Sequence, residues 1–204
     1  MVFMRSKNVG GRRYGRLMAT VYYTATTLDG YLATPDHSLD WLFAVEHGPD
    51  VEADMAQFYA SVGPLAMGAS TYRWVVENES LLDHPEKWHE WYGDRPTWVF
   101  THREDQPVVE GADIRFTRSP VEQVHAEMLA AADDKDIWLM GGGDLVGQFH
   151  DAGLVDRIVA TIAPATLGAG APLLPRVIGS DRLTLTDVKR SGQFVTLTYD
   201  VHGA

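Results

Sequence analysis

Apolar positions along the chain repeat with two periods, one strand-like and one helix-like, and the two alternate for most of its length. Residues 19–25, ATVYYTA, are rich in β-branched and aromatic side chains and predict a strand buried on at least one face. The stretch TLDGYLATPDHSLDW after it is broken by Gly30 and Pro35 and reads as a loop. Beyond Pro49, Val51, Met55, Phe58 and Val62 fall at helical spacing, with acids at the start where the helix dipole favours them. PLAMG is a short buried strand, STYRWVVE a helix, and the Trp- and His-containing stretch up to Arg95 is expected to be irregular. PTWVFTH and ADIRFT are the next strands. Residues 119–133 form an amphipathic helix with Ser119 as its cap, Pro120 in its first turn, and Val121, Val124, Met128 and Leu129 on its apolar face. DIWLM is a strand, GGG a turn, and DLVGQFHDAG a short helix closed by Gly153. LVDRIVATIAPA gives another strand, and LTLTDVK with QFVTLTYDV, turning around residues 190–192, gives an antiparallel hairpin.

This order predicts an α/β fold of three layers: a mixed, mainly parallel sheet with helices on both faces and a C-terminal antiparallel hairpin. With 204 residues, 45% of them apolar and six of them Trp, the chain builds one sizeable core, and we assign residues 18–204 to a single domain. Residues 1–17 stand apart. They hold Arg5, Lys7, Arg12, Arg13 and Arg16, whereas the first acid is Asp29. Without the apolar stretch of a signal peptide, this leader reads as a disordered basic extension, or as a start site assigned too early.

Composition removes several classes of function. The formal net charge of -11, from 28 acidic and 17 basic side chains, repels a phosphate backbone, so nucleic acid is not an expected partner. No cysteine occurs, which excludes disulfides, thiolate nucleophiles and cysteine-rich zinc sites and agrees with a cytoplasmic location. No apolar run has the length needed to cross a bilayer. The eight histidines show no ligand spacing, so no metal is expected.

Two junctions carry candidate chemistry. In IWLMGGGDLVGQF, residues 137–149, a strand delivers three glycines to a helix start, where unpaired amides attract phosphate oxygens and the missing side chains allow close approach. MGASTY, residues 67–72, repeats the arrangement with small hydroxylated residues that can cap a helix or face an anion. Either junction alone is explicable as a tight turn or a cap. Two of them in one parallel sheet can bind the two ends of a dinucleotide at its carboxyl edge.

These motifs, taken in order with ATTLDGYLA, LDW, WVFTH, AGLVDRIVATIAP and LGAGAPLLP, resemble the dihydrofolate reductase-like superfamily over residues 19–200. Within it the chain looks most like the branch of stand-alone relatives of the reductase domain of the riboflavin-biosynthesis deaminase-reductases. The resemblance implies a three-layer dihydrofolate reductase-like fold and hydride transfer from NADPH to a pyrimidine- or pteridine-like heterocycle. It assigns Gly68, Ser70 and Thr71 to the pyrophosphate and adenosine side, Thr101 and His102 to the flanks of the adenosine, and Gly141, Gly142, Gly143, Asp144 and Leu145 to the pyrophosphate cradle. Ala25 and Leu32 would lie near the nicotinamide, and Gly168 in LGAG near the cofactor or a subunit contact. Many relatives carry Arg where this chain has Ala69, which cannot pair with a 2'-phosphate; NADH is therefore a second candidate cofactor, unless His102 or Arg103 compensates.

For catalysis the resemblance singles out Asp54, at the position where dihydrofolate reductases carry an acid that helps protonate the pterin. Half-burial there would push its pKa upward. The other reading of Asp54 is one more acid, with Asp50 and Glu52, at a helix start. Asp29, Trp41 and Phe58 are candidate substrate contacts, against turn formation for the first and core packing for the others. The riboflavin-pathway substrate carries a ribose phosphate, yet residues 18–72 contain no Lys or Arg and seven Asp or Glu, which leaves only later cations such as Arg73, Arg157 or Arg176 to meet it. Dihydrofolate reduction and a non-catalytic dinucleotide sensor are the alternative functions. A homodimer through the terminal hairpin and the APLLP stretch is expected from the family.

Overall fold

The computed structural model describes residues 18–203, so the basic leader lies outside the described residues. An eight-stranded sheet runs through the molecule in the order β5 (Ile114–Thr117), β4 (Thr97–Phe100), β3 (Val62–Gly68), β6 (Asp136–Gly141), β1 (Thr20–Thr27), β7 (Arg157–Ala163), β10 (Phe194–Val201) and β9 (Leu183–Ser191). The first six are mutually parallel, and β10 runs antiparallel to both β7 and β9. The mixed, mainly parallel sheet and the terminal hairpin are therefore both present.

Strand β1 is central because it buries side chains on both faces. Its start is pinned by two carboxylates, since the amides of Ala19 and Thr20 donate to Asp136 (2.7 Å) and Asp156 (2.8 Å). Alternation along β1 and β6 then sends Tyr22, Ile137 and Leu139 to one face and Tyr23, Trp138 and Met140 to the other. On the first face these pack against α5 (Val121–Ala130) through Val121, Val124 and Met128, and against α6 (Gly143–Asp151) through Leu145, Val146 and Phe149. On the second face lie α2 (Pro49–Ser61), α3 (Ala69–Asn78) and α4 (Glu86–Tyr92), which contribute Phe58, Tyr72, Val75, Val76 and Trp88. That is the expected three-layer arrangement. Among the described residues no helix is long and apolar enough to cross a membrane.

Several local expectations are corrected. The stretch before Arg95 contains α4, a helix too short to show a period, held by the fully buried Trp88, whose ring lies 4.7 Å from that of Tyr92 and 6.3 Å from that of Tyr72. Ser119 does not cap α5: Pro120 holds the cap position without a side-chain bond, the Ser119 amide donates to Thr117 Oγ1 at 3.0 Å, and the helix stops at Ala130. The hairpin turns at Gly192 and Gln193, with Gly192 at φ +60°, one step later than the alternation suggested. The loop after β1 holds β2 (Tyr31–Ala33), paired with β8 (Ala171–Pro172), and α1 (Asp40–Phe43). Helix α6 ends as expected at Gly153 (φ +68°), where the amides of Gly153 and Leu154 return to the carbonyls of His150 (2.8 Å) and Phe149 (2.9 Å).

Candidate active site

Parallel neighbours β3 and β6 send the chain in opposite directions. From β3 it passes through α3 and α4 to β4 on one side, and from β6 through α6 to β7 on the other. Because α3 packs on one face and α6 on the opposite face, a crevice opens between the carboxyl ends of β3 and β6. Both helices start at a glycine, Gly68 and Gly142, and neither cap carries a side-chain hydrogen bond. First-turn amides of both helices are thus unclaimed by side chains and suited to an anion. The two starts nearly touch: a Cβ built on Gly68 would lie 3.8 Å from the Gly142 nitrogen.

The three consecutive glycines have different jobs. Gly141 sits at φ +133°, where L side chains are strained, and a Cβ on Gly141 or Gly142 would meet nothing within 4 Å. That empty space is a cradle a side chain would fill. A Cβ on Gly143 would instead come within 2.4 Å of the carbonyl oxygens of both Pro172 and Leu173. Gly143 therefore lets the segment after β8 pack on the helix start, and the Tyr22 hydroxyl secures that segment by donating to the Leu173 carbonyl at 2.8 Å.

From the crevice a cavity of about 1020 Å³ extends along the sheet in both directions. Toward β5 it is lined by Thr101, His102, Thr117, Arg118 and Ser119. Thr101 shapes this end, because its Oγ1 accepts the Arg103 amide (3.0 Å) and Gln106 Nε2 (2.9 Å). On the face covered by α2, α3 and α4 the cavity forms an aromatic chamber walled by Tyr23, Tyr59, Trp74, Trp91, Tyr92 and Trp138. Across it, Phe43 of α1 stacks on Trp74 of α3 at 5.9 Å and 11°. Arg95 holds two of these walls, since its guanidinium donates to the carbonyls of Val62 (3.0 Å), Tyr92 (2.5 Å) and Tyr59. Burial pushes the phenols of Tyr23, Tyr59 and Tyr92 above the usual tyrosine range, so all three stay protonated, and that of Tyr23 donates to Met55 Sδ at 3.2 Å.

A family model, the RibD C-terminal domain, matches residues 20–197. The chain belongs to the RibD C-terminal domain family. Its relatives include two uncharacterised Bacillus subtilis proteins. YwjB is 31% identical over 180 residues, covering 88% of this chain and 96% of YwjB, and YyaP is 25% identical over 184 residues, covering 88% and 93%. Among solved structures, a Shewanella sp. PV-4 protein described as a riboflavin biosynthesis protein superposes with a TM-score of 0.70 at 25% identity, over 90% of this chain and 99% of its own. The fold is shared with a Thermotoga maritima diaminohydroxyphosphoribosylaminopyrimidine deaminase/5-amino-6-(5-phosphoribosylamino)uracil reductase (TM-score 0.64, 14% identity, 90% of this chain and 56% of that one). A pyrimidine reductase-like protein from Corynebacterium diphtheriae also shares it (TM-score 0.62, 18% identity, 92% and 93% covered).

Within this RibD C-terminal domain most of the anticipated residues converge on the one cavity. Ala25, Leu32, Trp41, Gly68, Ser70 and Thr71 line it, as do Thr101, His102, Gly141, Gly142, Gly143, Asp144 and Leu145. Asp144 also pairs with Arg176 at 3.3 Å. Four residues do not line it. Phe58 is core, its ring 4.3 Å from Tyr23 and 5.1 Å from Trp138 in edge-on contacts. Asp29 accepts the Thr27 hydroxyl (2.6 Å) and the amides of Leu167 and Gly168 (2.7 Å to the latter), so its carboxylate clamps the LGAG loop instead of facing a substrate. Gly168, at φ +72°, serves that clamp. Asp54 is the largest correction: its carboxylate is taken by Lys189 and by the Ser191 hydroxyl (2.7 Å), both on β9. The Lys189 ammonium, helped by Ser191, holds its pKa below the usual carboxylate value, the reverse of the expected shift.

The later cations do not reach the cavity wall either. Arg73 binds Gln106 and Asp105, Arg157 pairs with Asp200, and Arg176 with Asp151 and Asp144. Arg103 is not on the wall, but Arg118 is. In the sequence Arg118 carries no signal of its own, because TRSP marks only the start of a helix. The chamber residues of α3 and α4 carry no such signal either, since Trp at helical spacing marks core as readily as a binding wall.

Proposed function

We propose that this chain is a reductase that binds a nicotinamide dinucleotide across the crevice between β3 and β6 and reduces a pyrimidine- or pteridine-like ring held in the aromatic chamber. One observation carries the reading: two side-chain-free helix starts, at Gly68 and Gly142, open onto the same cavity as a chamber of aromatic rings. The cradle over Gly141 and Gly142 fits a pyrophosphate, because open space and unclaimed amides coincide there. Ser70, Thr71, Thr101 and His102 would hold the adenosine half, and Ala25 and Leu32 would flank the nicotinamide. Arg118, on the wall beside Thr101 and His102, would take over from the missing Arg at position 69 in meeting a 2'-phosphate, which favours NADPH over NADH.

A reduced nicotinamide supplies a hydride when bound. The chain's own residues orient the ring by stacking, exclude water, and present phenolic donors to its heteroatoms. With a proton drawn from solvent, a hydride would add across one ring double bond, the two electrons gained by the ring being those the bound dinucleotide would supply. Dihydrofolate reduction, as a rival, loses the acid it relied on, because Asp54 is ionised and turned to the hairpin.

The test is titration of the purified protein with NADPH and, in parallel, NADH, followed by tryptophan fluorescence and thermal melting. Saturable stabilisation, stronger with NADPH, is the expected result. Absence of stabilisation by either at millimolar concentration would overturn the reading.

A further inference from the structure

We propose that the occupant of the aromatic chamber is an uncharged, flat, conjugated ring compound bearing neither phosphate nor carboxylate. The inference rests on the reductase reading and narrows its substrate class. It separates this chain from enzymes whose ring substrate carries a ribose phosphate.

The first ground is where the cations are. Arg118 is the only Lys or Arg among the described cavity-lining residues, and it follows β5, at the far end of the sheet. Tyr23, on the chamber wall contributed by β1, is four strands from β5, about 19 Å at ~4.8 Å per strand. An anion seated against the β1 wall is thus beyond the reach of that guanidinium, which is in any case paired with Glu104 at 3.1 Å. The nearest ammonium on the hairpin side, Lys189, is already bound to Asp54. Residues 29–54, which supply α1 and the start of α2, hold seven acids and no Lys or Arg. His37 and His47 also line the cavity, and both are exposed to solvent.

The second ground is what the chamber offers instead. Its walls are π-faces, with Tyr59 and Tyr92 lying 5.6 and 6.4 Å from the Trp138 ring and Trp74 already stacked by Phe43. Such faces attract a flat ring and solvate a charge poorly. Its polar groups are neutral: the phenols of Tyr59 and Tyr92, and the indole of Trp41, whose buried Nε1–H finds no partner among the described residues. A ring carbonyl or ring nitrogen satisfies such donors without bringing charge into the cavity.

The experiment compares twins that differ by one anionic group. Fluorescence quenching would be measured for 6-methylpterin against pterin-6-carboxylate, and for riboflavin against its 5'-phosphate, with NADPH stabilisation recorded separately by thermal melting. The neutral member of each pair should bind at least about tenfold more tightly. A Val51→Lys variant, which places an ammonium on the chamber wall from α2, should narrow that ratio while leaving NADPH stabilisation in place. Equal or tighter binding of an anionic twin overturns the proposal, as does failure of every neutral ring to bind. Loss of NADPH stabilisation with the neutral preference intact would instead remove the reductase reading alone.

Discussion

If Asp54 is a structural tie and not a proton donor, Asp54→Asn should lower stability and spare turnover. The Ser191 hydroxyl, on a residue only 4% exposed, donates to Asp54 Oδ2 at 2.7 Å. A bond to a charged acceptor contributes about 1.5–3 kcal/mol and a neutral one about 0.5–1.5, so the amide retains the contact at a loss of about 1 kcal/mol. The Lys189 side chain is 49% exposed, and solvent leaves its share small. For a chain of this size the total corresponds to a fall of about 2–4 °C in Tm. The sign with pH follows from the lowered pKa of Asp54. Its contribution is complete above the unfolded carboxylate value and disappears as pH falls through the lower folded one, so wild type and variant should begin to converge in Tm only below about pH 4. Calorimetry from pH 7 down to pH 3, with the steady-state rate of NADPH oxidation on the best heterocyclic acceptor, reads both effects. An unchanged Tm with a rate reduced tenfold or more would refute the reasoning and restore Asp54 to the chemistry.

Arg118→Ala should weaken NADPH binding about fivefold and leave NADH binding unchanged, because a side chain 53% exposed and paired with Glu104 at 3.1 Å contributes only about 1 kcal/mol to a 2'-phosphate. Equal loss for both cofactors in parallel titrations would show that Arg118 does not read that phosphate. Gly143→Ala should cost about 1–3 kcal/mol in spite of alanine's better helix propensity, since its Cβ would press on two backbone oxygens at 2.4 Å. An unaltered melting temperature would mean that the segment after β8 yields freely. Arg95→Met should lose about 2–3 kcal/mol and reduce 6-methylpterin binding more than NADPH binding, because it releases the backbone of two chamber tyrosines. Equal effects on both ligands would argue against that positioning role.

By itself the sequence determined the order of the main strands and helices, the glycine junction after β6, and the absence of cysteine chemistry. These are local properties: β-branched runs such as TVYYTATT extend, and glycines before a helix leave amides bare, wherever the chain goes next. Only the tertiary structure decided which groups face the cavity. Asp54 and Met55 are adjacent on α2, yet Met55 lines the cavity while Asp54 meets Lys189 and Ser191, residues more than 130 positions away. A helix turns by about 100° per residue, so neighbours in sequence point to different partners, and the identity of those partners depends on how β9 and β10 close the sheet edge. The same holds for α4, which is too short to signal itself and exists because Trp88 fills the space beside Tyr72 and Tyr92. It holds also for β2 and β8, whose pairing joins residues about 140 positions apart through two or three residues each. Long-range packing assigns those roles, and no local pattern carries them.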